Sequence, residues 1–315
     1  MSRDRRPNGR AGRNYGGEIE MKEYVIVSGK GGTGKTSLVA SFAAMAHSAV
    51  VADCDVDAAD LHLVLAPRVR RRESFRCGRE AVIRHADCVS CGACLARCRF
   101  DAVRKSDGGA GEARFEIDPN ACEGCGVCVA HCPVQAIDFP ERVGGAWFVS
   151  DTRHGPMVHA ELAPGAENSG KLVAKVREVA RQVAEERVRD LVLVDGPPGI
   201  GCAVIAAISG ASLVVVIAEP TLSGAHDMSR VLELTRHFNI PSALCVNKWD
   251  LNPDMATMIE DEAARVGARS VGRVRYDRSV TDAQIQGKAV TELPDALSGA
   301  EIRAVWDRIE VMETV

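Results

Sequence analysis

Short runs of apolar, β-branched residues alternate along most of this chain with longer stretches that return an apolar residue every three or four positions. Tyr24 to Ser28 is the first such run. It ends in a glycine cluster, and Thr36 to His47 then carries helical spacing with an Ala-rich face. Ala49 to Ala52 predicts a second buried strand, which delivers Asp53-Cys54-Asp55-Val56-Asp57 at its C-terminal end, where parallel α/β sheets gather their ligands. Helical spacing resumes over Gly170 to Arg187, and strands at Leu191 to Val194, Leu213 to Ala218 and Ala243 to Val246 alternate with helices after it. Buried strands alternating with helices predict a mostly parallel sheet covered on both faces.

Between about Cys77 and Val149 the pattern changes to short segments dense in Cys, Gly and Asp, with no apolar stripe of helical length. The expected organisation is therefore one α/β domain in two parts, 21–76 and 150–315, interrupted by a small domain at 77–149. Residues 1–20 are rich in Arg and Gly and nearly devoid of large apolar side chains, so they cannot repay the entropy of ordering and read as a disordered tail. Met21, just before the first strand, is an alternative start.

Composition narrows the partners. A hydrophobic fraction of 46% in 315 residues is ample for a sizeable core, and a net charge of −4 gives no electrostatic case for nucleic acid or anionic lipid. No apolar run is long enough to span a bilayer, and the N-terminus lacks the apolar centre of a secretory signal, so the cytoplasm is the expected location. A C-terminal helix near Ala300 to Met312 carries Glu301, Asp307, Glu310 and Glu313, which disfavours a membrane-bound amphipathic helix.

Gly29-Lys30-Gly31-Gly32-Thr33-Gly34-Lys35-Thr36 matches the phosphate-binding loop and stands between a strand and a helix, as that mechanism requires. The glycines let the backbone wrap the phosphates with its N–H groups turned inward, and the helix N-terminus adds a favourable dipole. Lys35 neutralises the β/γ oxygens, and Thr36 coordinates Mg²⁺.

The chain has 12 cysteines, and eight of them fall into two identically spaced groups, which points to metal rather than to disulfides. Cys88, Cys91, Cys94 and Cys98 follow C-x2-C-x2-C-x3-C, and Cys122, Cys125, Cys128 and Cys132 repeat it, ending with Pro133. This is the spacing of bacterial two-cluster ferredoxins, in which the fourth cysteine of each run ligates the other cluster. On that pattern Cys88, Cys91, Cys94 and Cys132 hold one [4Fe–4S] cluster and Cys122, Cys125, Cys128 and Cys98 the other, stapling two halves that have little apolar core. Zinc, which prefers two pairs of ligands, suits a three-plus-one arrangement poorly. Arg99 stands where the first run would carry proline, and its free N–H and positive charge are expected to raise the second cluster's potential. Of the remaining cysteines, Cys245 reads as packing, and Cys54 and Cys202 as structural.

The second lysine of the phosphate loop, Lys30, makes it resemble the deviant Walker A of the MinD/Mrp/nitrogenase-iron-protein class of P-loop ATPases, and the whole order from Met21 resembles MinD-superfamily ATPases with an inserted ferredoxin domain. The resemblance implies an α/β fold, a mostly parallel P-loop NTPase sheet with a small α+β ferredoxin-like insert. It also implies a homodimer through the nucleotide face, with Lys30 reaching the other copy's nucleotide much as an arginine finger would. Asp53-Cys54-Asp55 resembles the first switch of that class, Asp55 positioning the attacking water and Asp53 lying in the Mg²⁺ shell. Asp195-Gly196-Pro197-Pro198-Gly199 resembles the second, with Asp195 holding Mg²⁺ through water and the Gly199 amide sensing the γ-phosphate. Asn247, in Asn247-Lys248-Trp249-Asp250, matches the residue that contacts adenine, which favours ATP over GTP. Glu219-Pro220-Thr221 either lines the same pocket or turns the chain into a helix capped by Thr221. Glu167-Asn168-Ser169-Gly170-Lys171 also looks like that family, with Asn168 a candidate helix cap.

Two functions are open at this point. One is an ATPase that couples nucleotide state to electron transfer through two [4Fe–4S] clusters, toward an unknown redox partner. The other is a cluster carrier or metallocofactor maturation factor resembling Mrp-type scaffolds, toward an apo-protein acceptor. Those scaffolds use a C-terminal C-x-x-C, which this chain has only inside the ferredoxin repeats.

Overall fold

The structure, a computed structural model, describes residues 21–108, 113–163 and 169–312. The expected tail 1–20, the Asn168 cap and Glu313 lie outside the described residues.

The chain opens with β1 (Lys22–Ser28), α1 (Lys35–Met45), β2 (Ala49–Asp53) and the short α2 (Leu61–Leu65), then enters the long β3 (Arg68–Arg79). A compact unit follows: β4 (Val82–Ile83), α3 (Ala93–Arg97), β5 (Val103–Asp107), β6 (Ala113–Ile117), α4 (Val127–Ala130) and β7 (Ile137–Asp138). The long β8 (Glu141–Thr152) and β9 (Gly155–Leu162) lead back to α5 (Ser169–Glu186), β10 (Leu191–Pro198), α6 (Cys202–Ile208), β11 (Leu213–Ala218), α7 (Leu222–His237) and β12 (Ser242–Asn247). The chain closes with α8 (Pro253–Arg265), β13 (Arg269–Val274), α9 (Ser279–Ile285) and α10 (Leu297–Met312).

Nine strands form one sheet in the order β13-β12-β11-β1-β10-β2-β9-β8-β3, parallel as far as β9 and antiparallel for the last two. Alternation along β1 shows why both faces are covered. Val25 and Val27 pack with Leu172 and Val176 of α5 and Met228 of α7, whereas Tyr24 and Ile26 pack with Phe42 of α1 and Trp306 of α10. The Phe42 and Trp306 rings lie 5.1 Å apart.

The expected boundaries at 76/77 and 149/150 fall inside β3 and β8, which pair with each other over nearly their full lengths. Hydrophobic patterning could not reveal β3, because it is an edge strand carrying Arg68, Arg70, Arg71, Arg72, Arg76 and Arg79 and is exposed on most of its length. Its stability is borrowed from β8: the guanidinium of Arg71 lies 4.9 Å from the Trp147 ring centre and that of Arg72 5.5 Å from Phe148. The β3–β8 ribbon leaves the sheet and runs directly into the cysteine-bearing unit, where Glu80 N–H donates to Pro140 O and Val82 pairs with Asp138.

Candidate functional site

The phosphate loop springs from the C-terminal end of β1, at the centre of the sheet. Ser28 Oγ donates to the carbonyl of Lys30 at 2.8 Å, and the Gly199 N–H donates to the carbonyl of Ser28 at 2.9 Å. Two glycines here are dictated by space. A Cβ on Gly29 would stand 2.1 Å from Cβ of Asp227, and Gly34 is left-handed (φ 85°) with the Asn247 amide 2.4 Å from where its Cβ would be. The loop borders a cavity of about 950 Å³ lined by Gly31, Gly32, Thr33, Gly34, Lys35 and Thr36, with Asp55, Asp60, Leu63, Pro198 and Gln284 as its other walls.

Adjacent strands bring the acids together. Asp195 on β10 is in register with Asp53 on β2, and Lys35, at the start of α1, reaches both walls. Its ammonium pairs with Asp195 and lies 3.5 Å from Asp55 Oδ2. Burial works to lower the Lys35 pKa, but Asp195 and Asp55 outweigh it and hold it above the ordinary lysine value. Asp53 is pushed well above the usual carboxylate range by burial and by Asp195, and Asp55 is raised mainly by burial. One positive charge faces three acids. Asp53 Oδ2, Asp195 Oδ2 and Thr33 Oγ1 are buried and make no hydrogen bond among the described residues. Orphaned carboxylate oxygens beside a phosphate loop fit a divalent cation with its water shell.

Asn247 was expected at the base. It is buried at the end of β12 beside the phosphate loop, where its Nδ2 donates to the carbonyl of Thr33 at 2.6 Å. Two residues there escaped the sequence reading. Lys248, left-handed (φ 58°), donates from Nζ to the carbonyl of Gly32 at 3.0 Å, and Gln284 of α9 donates to Ser37 Oγ at 2.9 Å and walls the cavity. The Asn-Lys-x-Asp run after a strand was a signal for Lys248; nothing local marked Gln284. Thr221 caps α7 by accepting from the Gly224 N–H at 3.0 Å.

The eight patterned cysteines separate into two sets across the repeats. Cys88, Cys91, Cys94 and Cys132 surround one small cavity, walled by Ile83, Phe115 and Ile137; Cys98, Cys122, Cys125 and Cys128 surround the other, walled by Ala81, Phe100 and Val103. None of the eight is paired in a disulfide. Among the described residues no three His, Cys, Asp or Glu side chains converge tightly enough for a single ion. Four thiols spread around an apolar hollow suit a cubane cluster, whose sulfur ligands stand well apart, better than one zinc ion.

The two hollows are not equivalent in position. Ala81, just past the end of β3, borders the Cys98/Cys122/Cys125/Cys128 hollow, and Ile83 of β4 borders the other. The Cys122–Cys125 turn also rests on the end of β3: a Cβ on the left-handed Gly124 (φ 62°) would stand 2.2 Å from the Arg79 carbonyl. Cys54 and Cys245 are fully buried, and burial pushes the thiol of Cys245 up to about 12 and that of Cys54 well above its ordinary value, whereas Cys202 is exposed.

Residues 81–139 match the family described as a 4Fe-4S dicluster domain. The chain is 34% identical over 235 residues to the uncharacterized protein MJ0578 of Methanocaldococcus jannaschii, covering 74% of this chain and 80% of that one. It is 22% identical over 317 residues to MJ0579 of the same organism, covering 91% and 98%. Among solved structures it is similar to the MinC:MinD cell division protein complex of Aquifex aeolicus (TM-score 0.56, 17% identity, 92% of this chain and 96% of that one). It is likewise similar to the septum site-determining protein MinD of Pyrococcus horikoshii, complexed with Mg-ADP (TM-score 0.55, 14% identity, 93% and 97%). At these identities the likeness is one of fold: the sheet and its helices are those of the MinD-type P-loop proteins, with the cluster unit inserted in the middle.

Proposed function

The chain belongs to the family of the Methanocaldococcus jannaschii protein MJ0578, and from that premise and the geometry of its two sites we propose that it is an ATPase whose nucleotide state is coupled to electron transfer through two [4Fe–4S] clusters. The observation that carries the reading is one of connectivity. β2, which ends at Asp53 with Asp55 two residues beyond it, is hydrogen-bonded to β9, β9 to β8 and β8 to β3, and the β3–β8 ribbon leads to the two cysteine hollows. A movement of the acids at one end of this path has a continuous hydrogen-bonded route to the other.

In this reading ATP is the substrate. Lys35 neutralises the β/γ oxygens. Thr36, Asp53 and Asp195 serve the Mg²⁺ site, which the orphaned oxygens of Asp53 and Asp195 support, and Asp55 directs the attacking water. Lys30 of a second copy completes the charge, so two copies meet through the nucleotide face. The Gly199 N–H is engaged by the carbonyl of Ser28, so sensing a γ-phosphate requires it to exchange that partner, which makes the second switch a two-position element. The clusters, when bound, supply one-electron storage; the chain's part is to hold them in apolar hollows, with the Cys98/Cys122/Cys125/Cys128 set nearer the sheet.

The test is anaerobic purification with iron counting and EPR, with and without MgATP. About eight irons per chain and a nucleotide-dependent spectrum are expected. Electron delivery to a reducible acceptor that ignores ATP overturns the coupling, and iron leaving the protein for an apo-acceptor replaces it with the carrier reading.

A further inference from the structure

The ammonium of Lys30 is not free in this chain. It lies 3.3 Å from Glu219 Oε2 and 3.3 Å from Ser223 Oγ. Glu219 follows β11, and its other oxygen accepts from Lys248 Nζ at 2.5 Å, while Lys248 also holds the carbonyl of Gly32. One carboxylate therefore binds two lysines, one within the phosphate loop and one bonded to it. The Glu219 side chain is 14% exposed and that of Lys30 36%, so the pair is partly screened by water. Burial by itself would raise the Glu219 pKa; Lys248 and Lys30 outweigh it and hold the carboxyl below the usual glutamate value, so it is an anion at neutral pH.

A triphosphate held by a second copy offers Lys30 what Glu219 offers, oxyanions, with more charge. We propose that Glu219 is a positioning residue that parks Lys30 within its own chain while nucleotide is absent. ATP-driven association of two copies is then an exchange of anions at Lys30, from the Glu219 carboxylate to phosphate oxygens across the interface. This rests on the trans role of Lys30 in the proposed function and adds to it a cost that nucleotide has to overcome, which keeps nucleotide-free copies apart. The sign is diagnostic. If Glu219 merely braced the loop, removing its charge would weaken association; if it parks Lys30, removing its charge strengthens it.

The experiment uses the full chain, purified anaerobically with its iron, and reads two things. The first is acetylation of Lys30 by N-hydroxysuccinimide acetate without nucleotide, measured by peptide mass spectrometry against the exposed Lys171. Glu219→Gln is expected to raise Lys30 labelling by roughly 3- to 10-fold, the scale of a partly screened ion pair, and Ser223→Ala, which leaves Lys248 untouched, by roughly 2-fold. The second is sedimentation velocity with a hydrolysis-resistant ATP analogue, where Glu219→Gln is expected to lower the half-association concentration by roughly 3- to 10-fold. That gain is expected to vanish in a Lys30→Ala background. Unchanged Lys30 labelling overturns the parking. Raised labelling with unchanged or weaker association, or a gain that survives Lys30→Ala, overturns the anion exchange. Wild-type association that ignores both nucleotide and Lys30→Ala overturns the trans-lysine reading beneath it, and the labelling result separates that failure from the others.

Discussion

In the main sheet, Val25, Ile26 and Val27 are wholly buried and helices on both faces add Phe42, Leu172, Met228 and Ile302, each almost entirely out of water. In the unit at 81–139 the apolar core is a small group, Ala81, Ile83, Val103, Phe115 and Ile137 around Cys94, and the patterned cysteines line hollows rather than packing against one another. The first region has a large apolar core of its own. The second has too little apolar area for its length and depends on what its thiols hold. One chain thus joins a body with a large apolar core to a module with a small one, whose stability is expected to follow its iron.

The largest expected effect breaks this comparison most directly. Stripping iron with a chelator should abolish hydrogen-exchange protection across 81–139 while β1, β10 and β11 keep theirs; an iron-free unit that stays protected removes the distinction. Next is Lys35→Ala, which is expected to cut ATP turnover by about 10²-fold or more without changing the iron count, because the substitution touches only the body's chemistry. Phe42→Ala should cost the body about 3–5 kcal/mol in denaturant unfolding, whereas Phe115→Ala should show itself chiefly as faster iron loss. The smallest effect is one of pH. His159, inside β9 with its ring stacked on Phe148 at 4.8 Å and its Nε2 3.0 Å from Ser150 Oγ, is lowered to about 4 by burial and by His62. Its folded pKa lies below the unfolded value, so the stability it contributes is full above about pH 6.5 and is lost as pH falls toward 4. Thermal unfolding of His159→Gln should fall less over that window than that of the wild type.

Much of the fold was legible because buried parallel strands write continuous apolar runs. β1, β2, β10, β11 and β12 all stand where those runs predicted. What was not legible is instructive. β3 carries arginines on both faces, and β8 and β9 sit where the cysteine-rich pattern ends, so the ribbon joining body to module was cut in two by boundaries drawn on composition. The site divides the same way. The phosphate loop and the cysteine runs are contiguous in sequence and were found whole. The burden on Glu219, shared by Lys30 and Lys248, joins three distant segments and leaves no local trace. Asn247 was identified as a site residue by a motif, yet the motif said nothing of the direction in which its amide points.

The arginines of β3 have a consequence beyond the ribbon. A sheet that ends in a long strand exposes a row of unpaired N–H and C=O groups, the template on which stray strands condense. Here that border is studded with Arg68, Arg70, Arg72 and Arg76, and a second copy arriving edge to edge would meet its own charge. The sheet therefore has a guarded frontier on its β3 side, and a copy that approaches there is turned away by like charge before any strand can pair.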